Sequence, residues 1–211
     1  MLPVWVIFIA AALRILGGIA YLRATLDGRA KPNPLSWLLW GVTPLIALFA
    51  ELSAGVGPAV FVTMALAASP LMVFVATMYK NPRSFKFDRL NVYSGLFAIS
   101  GIVLWQLTDD PHLAIMVAIL ADIASSMPTI KKTIHHPHTE YAPTYAISAF
   151  SMILTLLTIQ TWNFATFAFP IYVLVMNSFM VSLIVLRKKP RPKTRRRSTA
   201  SRRRRTQPRY S

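Results

Sequence analysis

The sequence predicts an all-α integral membrane protein: seven transmembrane helices, arranged as two parallel three-helix repeats joined by a linker helix. Three observations carry this. Hydrophobic residues make up 55% of the 211-residue chain and charged residues only 14%. The apolar residues fall in continuous runs rather than alternating, and a lipid-facing backbone is satisfied only by helices or closed barrels, so continuous runs mean helices. Finally, the sequence resembles itself at an offset of 108 residues without a gap.

Each span follows from a run close to the roughly 20 apolar residues a bilayer requires. The runs cover 3–22, 35–54, 58–79, 91–107, 112–130, 143–161 and 164–186. The first lacks a basic leader and carries Arg14 inside its apolar stretch, so it reads as a retained span and not a signal peptide. Short connections favour antiparallel neighbours. The fifth run is expected to stop at the Ser-Ser-Met-Pro-Thr stretch, residues 125–129, and to give way to a basic, histidine-rich loop.

Charge placement gives the orientation. Of 23 Lys and Arg residues, Arg23, Arg29 and Lys31 lie between spans one and two. Lys80, Arg83, Lys86 and Arg89 lie between spans three and four, and Lys131 and Lys132 between five and six. Thirteen more follow span seven, and only Arg14 is intramembrane. The alternate connections hold none, but Asp109 and Asp110 lie there and Glu51 nearby. The positive-inside rule therefore puts the N-terminus outside and the C-terminus in the cytoplasm. An even number of spans would place basic connections on both faces.

The repeat pairs Gly17-Gly18 with Ser125-Ser126, Thr25 with Thr133, and Ser36-Trp37 with Thr144-Tyr145. It continues through Leu48/Leu156, Phe61/Phe169 and Val73/Val181 to Pro82/Pro190. Each unit of three spans ends on the face opposite its start, so a fourth span is needed to set the second unit parallel to the first. The expected organisation is 1–80, first repeat; 81–108, linker with span four; 109–187, second repeat; and 188–211, a basic tail. Parallel repeats place solute sites at their interface near the midplane.

This layout resembles the PQ-loop superfamily, which includes the SWEET sugar transporters, their single-unit bacterial relatives, cystinosin and the KDEL receptor. The resemblance covers residues 1–190. Where the family has Pro-Gln, this chain has Pro128-Thr129, and the first copy has Ala20-Tyr21. The resemblance implies a hinge at Pro128, with Pro44 and Pro70 supplying other bends. It also implies a solute site: Trp162 followed by Asn177 resembles the Trp and Asn of the family's sugar carriers. Ala54 and Ser69 stand at their first-copy equivalents. Read from the residues alone, Trp162 is an interfacial anchor, and Asn177 either a pathway contact or an interhelical hydrogen bond.

Arg14 and Asp122 occupy equivalent repeat positions and are expected to meet across the axis as an ion pair, in a pathway or as a docking contact. His135, His136 and His138 read as a charged cytosolic loop. Trp37, Trp40 and Tyr145 read as aromatic-belt anchors. There is no Cys, no nucleophile–base spacing and no paired carboxylates within the spans, so no catalytic residue, metal or cofactor is expected.

The expected function is a small-solute carrier, for a sugar or amino-acid-like molecule, working between the two repeats. The alternative is a non-transporting receptor or scaffold of the same fold. The net charge of +16 sits largely in the tail from Arg187, which is expected to be disordered and to lie on anionic lipid head groups. With no aromatics interleaved except Tyr210, nucleic acid is a poor fit. A homo-oligomer remains open. Compact cytosolic loops and the lack of sorting or lipidation signals point to a bacterial inner membrane.

Overall fold

An apolar chain with few charges satisfies its backbone locally, and the observed architecture is entirely helical. The computed structural model describes residues 2–3, 5–53, 60–107 and 111–187. Among these there are seven α-helices and no strand. They are α1 (Val6–Leu26), α2 (Pro34–Ser53), α3 (Val60–Lys80), α4 (Arg89–Gln106), α5 (Pro111–His135), α6 (Ala142–Leu157) and α7 (Phe164–Arg187). Short 3-10 turns at Pro82–Ser84 and Pro137–Thr139 sit in two of the connections. Residues Val6–Leu26 and Thr166–Arg187 are long and apolar enough to cross a membrane, with mean hydropathy 1.8 and 2.1. Asp109, Asp110, Ala54 and the basic tail 188–211 lie outside the described residues.

Three helix ends depart from expectation by four residues or more; the first is α1, which runs to Leu26 where the expected span stops at 22. The fifth helix does not stop at Ser125–Thr129 but runs to His135. Pro128 removes one N–H, yet the Ser125 and Ser126 hydroxyls both donate to the Asp122 carbonyl at 2.8 Å. Thr133 donates to the Thr129 carbonyl at 2.7 Å. The hydroxyls thus turn back into the helix instead of diverting the chain into a turn. The sixth helix is shorter than the expected 143–161, ending at Leu157. There Thr158 caps onto the Thr155 carbonyl at 2.6 Å, and the polar, partly β-branched stretch 158–161 leaves the helix.

Within residues 1–80, α3 packs against both α1 and α2; within the later part, α7 packs against both α5 and α6. Between them, α1 packs on α6 and α2 on α5. Exchanging α1, α2 and α3 for α5, α6 and α7 leaves this set of pairings unchanged. The fourth helix packs chiefly on α5 and also on α2, where Leu39, Ala98 and Ala121 form a small buried cluster. Asp88 caps α4 through the Asn91 N–H at 2.9 Å.

Small and hydroxyl residues make the cross-contacts. The Ser36 hydroxyl of α2 donates to the Ser125 carbonyl of α5 at 2.5 Å, and the Thr144 hydroxyl of α6 donates to the Gly17 carbonyl of α1 at 2.8 Å. These two bonds are images of each other under the 108-residue offset. The loops meet the same way, with the Lys31 N–H donating to the Thr139 carbonyl at 2.8 Å.

The outward faces carry many exposed large apolar side chains, including Leu16 at 58%, Val75 at 62%, Phe97 at 56%, Phe150 at 54% and Val175 at 61%. A water-facing surface rarely exposes this much apolar area on so many elements.

Close approach at Gly18 supplies a test of the α1–α3 contact. A Cβ there would stand 2.8 Å from the Ser69 Cβ, whereas at Gly95 the nearest atom would be 3.6 Å away. Gly18→Ala is expected to destabilise the fold by about 1–3 kcal/mol. Gly95→Ala is expected to cost less than about 0.5 kcal/mol or to stabilise the helix. Unfolding of the detergent-purified chain by SDS titration reads both.

Candidate functional site: a central cavity beside a buried carboxylate

Helices α1, α2, α3, α5, α6 and α7 enclose a cavity of about 280 Å³. Its lining pairs residues at the 108-residue offset: Ala10 with Ala118, Arg14 with Asp122, Gly18 with Ser126, Trp37 with Tyr145, Trp40 with Ser148, Thr43 with Ser151, Pro44 with Met152, and Ser69 with Asn177. The walls are mostly apolar, with a few polar groups set among them, as ligand pockets generally are.

Four of the sequence-derived site residues, Arg14, Ser69, Asp122 and Asn177, line this cavity together with Pro44. Trp162 does not. It sits in the α6–α7 connection, 55% exposed and stacked on Phe167 with ring centroids 6.0 Å apart, because α6 ends before reaching it. Pro128 is buried in α5 but outside the lining, flanked there by Ser126 and Thr129.

Arg14 and Asp122 face the same space without forming the expected ion pair. One Asp122 oxygen instead accepts the Tyr172 hydroxyl of α7 at 2.5 Å. Tyr172 was not legible from the repeat, since its first-copy equivalent is Met64. Asn177 donates its amide to the Val173 carbonyl at 2.8 Å, which leaves its carbonyl oxygen for the cavity. The Thr129 hydroxyl and the Trp37 indole N–H are buried without a hydrogen-bond partner among the described residues, and both residues line the cavity.

At one end the cavity abuts an aromatic cluster around Glu140. Tyr21, Trp37 and Tyr145 are nearly inaccessible, at 0%, 5% and 5%. The Tyr21 and Tyr145 hydroxyls both donate to Glu140 Oε2, at 2.5 Å and 2.9 Å, and Lys132 makes an ion pair with Oε1. Lys132 also donates to the Lys31 carbonyl. The Tyr21 ring lies 4.4 Å from Trp37 and edge-on to Tyr145 at 6.3 Å. Trp37 and Tyr145 are therefore not belt anchors; they pack inward, because a buried carboxylate gives tyrosine hydroxyls a partner that the outer faces of the helices lack.

The histidine loop is solvated: His135, His136 and His138 are exposed, and no group of metal-binding side chains occurs among the described residues. Arg29 in the neighbouring loop lies 2.7 Å from Asp27 and over the Tyr141 ring. Its hydrogen bond to Asp27 holds its pKa above the ordinary arginine value.

In comparisons with known proteins, the chain matches no family model, no curated protein and no solved structure.

Glu140 is expected to dominate the stability of this end. Glu140→Ala removes the counter-charge of Lys132 and leaves two buried hydroxyls without an acceptor, and is expected to cost about 3–5 kcal/mol. Tyr21→Phe and Tyr145→Phe are each expected to cost about 1.5–3 kcal/mol. Because they share one acceptor oxygen, the double variant should depart from additivity by at least about 0.5 kcal/mol. SDS-titration unfolding of the four proteins checks the set.

Proposed function

We propose that this chain is a seven-span membrane carrier for a small polar solute. Its α1–α3 and α5–α7 units form a parallel repeat about an axis along the membrane normal, with α4 as the inverting linker. The observation that carries the reading is the cavity, lined from both units by residues 108 positions apart, with Arg14 and Asp122, the two charged lining side chains among the described residues, at equivalent positions. Intramembrane charges are costly and usually face a pathway or a binding space. The exposed apolar faces of α1, α3, α4, α6 and α7 suit a lipid exterior, and the basic connections suit a cytoplasmic face at the Glu140 end.

In this reading the structure is occluded toward the cytoplasm. Opening that side requires the Tyr21–Glu140–Tyr145 contacts to separate as the two units rock. Pro44 and Pro70 lie in the cavity wall and Pro128 lies beside it; each removes a helix hydrogen bond where such bending would occur. The layout, with Pro128-Thr129 inside the last third of α5, resembles that of a PQ-loop or SWEET-like protein, and a multi-pass site in a bacterial inner membrane fits it. A second reading, a non-transporting receptor or scaffold of the same fold, is favoured by one feature: the first unit has Ala20 where the second has Pro128. In either case the basic tail rests on anionic lipid head groups.

Two experiments test these readings. The chain has no cysteine, so single-cysteine labelling is unambiguous. With a membrane-impermeant maleimide, His136→Cys should label only from the cytoplasmic side and Thr161→Cys only from the outside. Labelling of both from one side ends the topology. Proteoliposomes of the purified chain should take up a solute from a panel of sugars and amino acids, and Arg14→Gln and Asp122→Asn should each reduce uptake at least about tenfold. Uptake absent across the panel, with tail-dependent vesicle binding retained, selects the second reading.

A further inference from the structure

We infer that the solute is a zwitterion, with an anionic group held by Arg14 and an ammonium group held by Asp122. The inference rests on the cavity being a solute site. Two opposite charges share one largely apolar cavity, yet they do not close on each other. Arg14 makes no hydrogen bond or ion pair among the described residues. Asp122 is fixed on one oxygen by Tyr172 at 2.5 Å, and its other oxygen has no partner there.

Separated charges in a low-dielectric space are unfavourable, and pairing offsets the desolvation only when both are matched. A neutral polyol leaves both charges unmatched. A cation or an anion leaves one. A molecule with both charges a few bonds apart matches the two at once, and it does so without adding net charge to the bundle.

The surrounding groups fit the same class. Trp40, Met152, Phe169 and Val173 offer apolar wall for a side chain, and the free Asn177 carbonyl offers a further acceptor for an ammonium N–H. The chemistry is shared by free amino acids and by phosphoethanolamine-type lipid head groups, so the test separates these sources.

The full chain is placed in nanodiscs of phosphatidylglycerol, which carries no ammonium. Intrinsic tryptophan fluorescence, to which Trp37 and Trp40 of the lining contribute among the chain's five tryptophans, is followed while adding the non-aromatic proteinogenic L-amino acids, glycerophosphoethanolamine or glucose. The expected result is a saturable change with one or more amino acids, at least tenfold weaker with the corresponding amide and with the N-acetyl derivative. Arg14→Gln should erase the preference for the amino acid over its amide. Asp122→Asn should erase the preference over the N-acetyl form. Arg14→Lys and Asp122→Glu should keep both preferences, which separates charge recognition from loss of fold.

Saturation by glycerophosphoethanolamine alone, with the same dependence on both charges, supports the zwitterion class and assigns it to lipid head groups. Saturation by glucose without amino-acid binding, or binding indifferent to both charges, overturns the inference and leaves the carrier reading standing. No response to any probe by a folded protein overturns both.

Discussion

A single carboxylate ties the ends of several helices together. Glu140 receives hydroxyls from α1 and α6 and an ammonium from α5, and the Lys132 that pairs with it also reaches the loop after α1. A charge removed from water demands this: it must be matched fully or its burial destabilises the fold. Meeting the demand draws Tyr21 and Tyr145 inward from different units, and Trp37 packs on the Tyr21 ring so formed. Trp37 and Tyr145 of this cluster line the cavity.

The same economy of polar groups governs the interface between the units. Close approach and hydroxyl–carbonyl bonds hold the helices together, the kind of contact that serves where the surroundings are as apolar as the helix exteriors. Ser36 to Ser125 and Thr144 to Gly17 are one bond made twice. Gly17 and Gly18 let α1 approach α6 and α3, while the corresponding serines in α5 fold their hydroxyls onto the Asp122 carbonyl. Two loosely similar halves can therefore dock with matching bonds despite differing side chains. The site between them is asymmetric in chemistry, Arg14 against Asp122 and Ser69 against Asn177, though symmetric in position.

This asymmetry bears on function. Identical halves would put like charges or identical neutral groups opposite each other. Here positions 108 residues apart carry Arg14 and Asp122, opposite charges lining one cavity. In the carrier proposed above, a molecule oriented by both charges would enter with a defined polarity, and rocking of the units would alter the distance between the groups that hold it.

Helix existence and number were legible in the sequence, because continuous apolar runs and the placement of basic residues depend only on local composition. Arg14, Asp122, Ser69 and Asn177 were legible as a group, because a fixed offset marks equivalent positions without knowledge of the fold. The ends of α5 and α6 were not, since Ser125, Ser126 and Pro128 read as a break until tertiary packing and back-bonded hydroxyls carried the helix past them. Trp162 failed for the related reason that α6 stops before it. Glu140 and Tyr172 belong to the tertiary structure alone. Glu140 looked like a loop carboxylate and Tyr172 has no counterpart in the first copy, and a partner far away in sequence is chosen only when packing removes water and leaves each polar group one place to go.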